Sequence, residues 1–117
     1  MLDRPGEDPR REATLVVRDG RVEEVRDGWV TADGFEGRVE TVDLKEHFVL
    51  PGLIDSHTHI TGEYSHDIRL RRVTETDADA AIASTVYAER TLRAGFTTIR
   101  NVGSSGDAAF ALRDAIA

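Results

Sequence analysis

At 117 residues, 39% of them hydrophobic and 32% charged, the chain has the composition of a soluble protein, one domain at most with a modest core. Its net charge of −7 argues against nucleic acid as a partner, because phosphate binding needs a basic surface. With no cysteine there are neither disulfides nor thiolate ligands, so any metal must be held by His and carboxylate.

No stretch approaches the ~20 apolar residues that cross a bilayer, so no membrane partner is expected. The opening Met1-Leu2-Asp3-Arg4-Pro5-Gly6-Glu7-Asp8 has no apolar core of a signal peptide, and a cytoplasmic location is the expectation. Lys45 is the only lysine. With the acidic excess, that bias fits either a GC-rich genome or adaptation to high salt.

After a lead-in over residues 1–12, residues 13–47 read as short strands and turns. Ala13-Thr14-Leu15-Val16-Val17 and Arg21-Val22-Glu23-Glu24-Val25 flank Arg18-Asp19-Gly20. Asp-Gly between two β-rich runs predicts a hairpin, since a type I′ turn requires positive φ. Trp29-Val30 and Val39-Glu40-Thr41-Val42-Asp43-Leu44 predict further strands, separated by the Gly-containing run 33–37. Nothing in this half carries chemistry by itself; it reads as a β scaffold.

From residue 48 the pattern changes to strand, helix, strand, helix. A first strand is predicted over residues 48–55, followed directly by Ser56-His57-Thr58-His59. In extended chain, alternate side chains share a face, so His57 and His59 point the same way and can reach one metal ion. Neutral imidazole is the commonest protein ligand for zinc and similar divalent ions. The segment therefore reads as half of a metal site at the carboxyl end of a strand, against the plainer reading of two solvated histidines in a turn.

Residues 76–94 predict a helix with Thr76 or Asp77 as N-cap and Ala81, Thr85, Ala88 and Leu92 on one face, Ile82 beside them. Gly95 stands where a left-handed, helix-ending residue is wanted. Phe96-Thr97-Thr98-Ile99-Arg100 predicts a second strand, the run 103–107 a loop, and residues 108–117 the start of a helix. Strand, crossover and strand make the βαβ unit of a parallel sheet, which brings Asn101 to the histidines' end.

The run Val49-Leu50-Pro51-Gly52-Leu53-Ile54-Asp55-Ser56-His57-Thr58-His59 resembles the first barrel strand of the metal-dependent amidohydrolase superfamily. Ile60-Thr61-Gly62-Glu63 and Ala94-Gly95-Phe96-Thr97-Thr98-Ile99-Arg100-Asn101-Val102-Gly103 look most like its imidazolonepropionase-related and Xaa-Pro dipeptidase-like branch. An Asp is common in that branch where this chain has Asn101. The resemblance implies an α/β fold: N-terminal β-sandwich strands (residues 13–47), then the first two β/α units of a TIM-like (β/α)8 barrel (residues 48–117).

The same resemblance implies one or two divalent ions, zinc foremost, with His57 and His59 as ligands. It implies hydrolysis of a C–N bond in a small amide, cyclic amide or dipeptide-like substrate. A barrel of this kind needs ~250 residues, and its other ligands and its catalytic aspartate come from later strands. No histidine follows His66, Lys45 precedes the motif, and Asp107 and Asp114 come too early. No catalytic residue is therefore expected in this chain, which reads as the N-terminal portion of a longer enzyme. The remainder of the barrel would be supplied in cis or by another chain.

Three further residues are substrate-side or ligand-orienting candidates: Asp55, Arg100 and Asn101. Asp55 either orients a ligand histidine or caps the turn at the strand end. Arg100 either meets a substrate carboxylate or forms a structural ion pair. His66 with Glu63 and Asp67 reads as surface loop, as does His47. The competing function is a structural or association module without catalysis. Open sheet edges predict that the chain associates, and an oligomer is expected of the complete enzyme.

Overall fold

The computed structural model describes residues 1–104 and 106–117. The chain forms two compact units, Met1–Pro51 and Gly52–Ala117. The first unit is organised by one antiparallel hairpin, β1 (Ala13–Arg18) and β2 (Arg21–Asp27). Its turn is the expected one: Asp19 and Gly20 both have positive φ, 50° and 71°. Thr14 extends the hairpin's grip, donating from Oγ1 to the Gly28 carbonyl and accepting from the Val30 N–H. The amino terminus is tied to Arg10, whose guanidinium reaches Asp3 and Asp27.

Two sequence expectations fail in this unit. Residues 29–30 and 39–44 form no strand; a short 3-10 turn, Ala32–Gly34, is the regular element among the described residues after β2. β propensity becomes a strand only against a partner edge, and these segments have none. Around Lys45 the chain turns instead, with Asp43 Oδ1 accepting from the Lys45 N–H.

The second unit pairs β3 (Leu53–Thr58) parallel to β4 (Phe96–Asn101). Between them run α1 (Ile68–Thr74) and α2 (Asp77–Arg93), and α3 (Ala108–Ile116) follows β4. The expected crossover is present. β3 nevertheless starts later than predicted and carries past residue 55, and α1 was absent from the sequence reading. Pro51 offers no N–H to a ladder, which accords with the later start. Past that start, the register between Leu53↔Phe96 and Ile54↔Thr98 skips a residue, which places a bulge at Thr97.

Helix α2 begins at a complete capping box. Thr76 Oγ1 accepts from the Asp79 N–H (3.2 Å), while Asp79 Oδ2 accepts from both the Thr76 N–H (2.9 Å) and its hydroxyl (2.6 Å). Gly95, with φ 96°, ends it and leads into β4. The inward face is shifted from the expected one: Ala81 and Ala88 are half-buried as expected and Ser84 is fully buried, whereas Ile82, Thr85 and Leu92 are exposed. Helix α3 packs on α2, and its Ala108 and Leu112 are buried.

Buried apolar side chains are few: Ile60, Ala108 and Leu112. The chain exposes 9752 Å², against about 7,600 Å² for two separate compact bodies of these lengths. The strand expected to be buried is open too: Ile54 is 71% exposed. Among the described residues, no helix is long and apolar enough to cross a membrane.

Candidate metal centre

The site is built where β3 ends. Between Asp55↔Ile99 and Thr58↔Asn101 the two strands advance unequally, three steps on β3 against two on β4. That second bulge takes residues 56 and 57 out of the regular ladder. Asp55 compensates locally: its Oδ1 accepts from the His57 backbone N–H at 3.0 Å. Of the two readings open for Asp55, this contact is that of a turn-forming side chain.

Past the bulge the chain is pinned to the exit of β4. Thr58 Oγ1 donates to the Arg100 carbonyl (3.2 Å), and the Thr58 carbonyl accepts from the Val102 N–H (2.9 Å). The Ile60 N–H donates to Asn101 Oδ1 at 3.1 Å, and the Ile60 side chain is one of the few that are buried. His57 and His59 flank Thr58 with exposed rings whose centroids lie 5.7 Å apart, edge to face.

The surroundings of His59 select one tautomer of the neutral ring. Its Nδ1 lies 2.8 Å from the Gly103 carbonyl oxygen. A carbonyl only accepts, so a hydrogen bond there requires Nδ1–H and leaves the lone pair on Nε2. A Cβ on Gly103 would lie 3.4 Å from Cε1 and 3.6 Å from Nδ1 of the ring, so the residue sits in contact with the imidazole.

The ring spacing fits a shared ion. Two imidazoles bound at ~2.0–2.1 Å with a tetrahedral angle hold their ring centres about 5 Å apart. Metal-bound histidine commonly donates its second ring nitrogen to a carbonyl, as His59 does. The donor set is partial: among the described residues no group of three or more His, Asp and Glu is placed to hold an ion.

A cleft of about 380 Å³ borders His59, with Asp55, Glu63, Tyr87 and Arg90 on its walls. Arg90 Nη1 donates to both Glu63 oxygens at 3.2 Å, so that pair is mutually satisfied. Glu63 is thus not gathered with His66, and the Asp67 carboxylate is held below the ordinary range by the Ser65 hydroxyl. Arg100 makes no ion pair among the described residues. Tyr87 accepts from Arg71 at 3.3 Å. The loop predicted over residues 103–107 includes Ser105, which lies outside the described residues.

Sequence reasoning missed the Asn101 and Gly103 contacts.

Residues 48–117 match the Amidohydrolase family, and the chain belongs to it. A dihydroorotase of Methanothermobacter thermautotrophicus is 41% identical over 56 residues, covering 45% of this chain and 12% of that enzyme. An imidazolonepropionase of Myxococcus xanthus is 37% identical over 97 residues, covering 69% of this chain and 23% of that enzyme. The chain thus spans less than a quarter of the length of these curated relatives.

Proposed function

We propose that this chain forms the opening part of a metal-dependent hydrolase of C–N bonds, with His57 and His59 as two ligands of a divalent ion, most simply zinc. The observation that carries the reading is the histidine pair itself, 5.7 Å between ring centres at the carboxyl end of a parallel strand pair. Family membership supports it, and the relatives' names support a small amide-like substrate. The imidazolonepropionase likeness over 97 residues favours that branch for the substrate class.

In this reading residues 13–47 contribute β-sandwich strands after a lead-in, and residues 48–117 are the first two units of a (β/α)8 barrel. The protein works in the cytoplasm. A bound divalent ion supplies Lewis acidity toward a carbonyl and lowers the pKa of water. The chain's own part is to hold two neutral imidazoles, with the Gly103 carbonyl engaging His59 Nδ1 and leaving Nε2 as the donor atom. Asp55 keeps the bulged backbone at His57 in shape. Among the described residues none is assigned the proton transfer between water and a leaving nitrogen, a role the reading leaves to a later strand.

Zinc titration by calorimetry on the protein and on a His57→Ala/His59→Ala variant tests this. Binding in the original that vanishes in the variant is expected. Identical isotherms would overturn the ligand assignment.

A second reading, an association module without catalysis, draws on the uncovered apolar side chains of the second unit, Ile54, Val73 and Phe110 among them. Light scattering across a concentration series tests it, and a strict monomer at all concentrations would rule it out.

A further inference from the structure

We propose that Asn101 is a positioning residue for His59, an inference that rests on the reading of His59 as a ligand. Its side-chain carbonyl holds the turn after β3 in the one conformation that brings the imidazole onto the Gly103 carbonyl. The backbone ladder ends at the bond from the Val102 N–H to the Thr58 carbonyl, 2.9 Å. One residue further on, no backbone carbonyl of β4 meets the Ile60 N–H. Asn101 Oδ1 takes that place at 3.1 Å, so a side chain prolongs the ladder beyond the strand.

The residue between these two anchors is His59. Its backbone is gripped on both sides, at the Thr58 carbonyl and the Ile60 N–H, and its ring is gripped through Nδ1. All three contacts come from residues 101–103. The orientation of the Asn101 amide is fixed by chemistry: a backbone N–H only donates, so the oxygen must face Ile60. Its NH2 group faces the Ser104 hydroxyl at 3.5 Å.

Removing the acceptor leaves the N–H of a residue whose side chain is buried with no partner, which drives the turn to rearrange. His59 then loses its register against Gly103. The role asks for an acceptor oxygen and not for charge, so Asp serves at this position as Asn does.

Nitrogen-detected NMR of the imidazoles, with zinc titration alongside, tests the proposal on Asn101→Leu and Asn101→Asp. In Asn101→Leu the Nδ1–H tautomer of His59 should give way to a mixture and zinc affinity should fall about tenfold or more. Asn101→Asp should retain both, and His47 signals should not move in either variant.

An Asn101→Leu protein with an unchanged His59 tautomer overturns the proposal. If the unaltered protein binds no zinc yet Asn101→Leu still disturbs the His59 tautomer, the ligand reading fails and the positioning role stands. Amide exchange at Ile60 in the unaltered protein needs no variant. Slow exchange upholds the hydrogen bond, and exchange at the rate of an unstructured amide overturns it.

Discussion

Gly52 and Thr97 meet so closely that the structure has room for only one side chain between them. A Cβ on Gly52 would overlap the Thr97 hydroxyl and methyl and lie 2.7 Å from the Thr97 Cβ. The contact sits at the entry to β3, opposite the bulge that sets its register against β4. The glycine is needed here for space, since its φ lies outside the left-handed region.

Gly52→Ala should therefore destabilise the second unit by about 1–3 kcal/mol through overpacking. A double-mutant cycle in urea with Thr97→Gly measures the contact: the alanine penalty should shrink in that background. An equal penalty in both backgrounds would show that the two residues do not compete for space.

Gly106 faces a comparable restriction with a different origin. Its φ is 56°, and a Cβ there would overlap the Asp77 carboxylate, whose Oδ2 accepts from the Asp107 N–H at 3.4 Å. Gly106→Ala should cost about 1–3 kcal/mol from backbone strain alone. Gly62→Ala, with open space around it and no positive φ, should change the melting midpoint little. Equal effects from the two substitutions would contradict this placement.

The capping box of α2 makes a pH-dependent contribution. The Thr76 hydroxyl, and after it the Thr76 backbone N–H, hold the Asp79 carboxyl below the ordinary carboxylate range. A carboxylate with a depressed native pKa stabilises the fold above its unfolded value of about 4, and the benefit is lost as pH falls through the native value. The stability gap between the protein and Asp79→Asn should thus be widest near neutrality and close on acidification. A gap that holds constant down to acid pH would count against the box. Thr76→Ala should cost about 1 kcal/mol at neutral pH.

Ser84 should tolerate loss of its hydroxyl but not added bulk. It is fully buried, and its hydroxyl donates to the Ala81 carbonyl (2.6 Å) within its own helix. Ser84→Ala removes a donor without orphaning a partner outside the helix and should stay within about 1 kcal/mol. Ser84→Leu has no space for the added side chain and should cost about 2 kcal/mol or more. Thermal melts of the two variants decide it, and comparable midpoints would mean that the packing around Ser84 has slack.

Local signals in the sequence were readable where one residue decides one backbone state. Asp19-Gly20 gave the hairpin, Thr76 the start of α2 and Gly95 its end, because each depends on near neighbours alone. Register was not readable. The bulges at Thr97 and before Thr58 arise from how two distant segments settle against each other. The inward face of α2 was misjudged in part: apolar periodicity favoured Leu92 with Ile82 beside it, both exposed, while the burial of Ser84 depends on what packs against the helix. At the site, the histidine pair was evident from alternation. The contacts of Asn101 and Gly103 were not, since nothing local says which residue a strand exit will touch.

The bond between His59 and Gly103 joins positions 44 residues apart, whereas β1 and β2 are joined through two residues. At a synthesis rate of ~5–20 residues per second, Gly103 follows His59 out of the ribosome by about 2–9 s, while hairpins of the first kind close within ~1–10 μs. The first unit's hairpin is thus available to fold almost as soon as it is made. His57 and His59 are made seconds before the exit of β4, so the contact that orients the His59 ring forms only once Gly103 has been added.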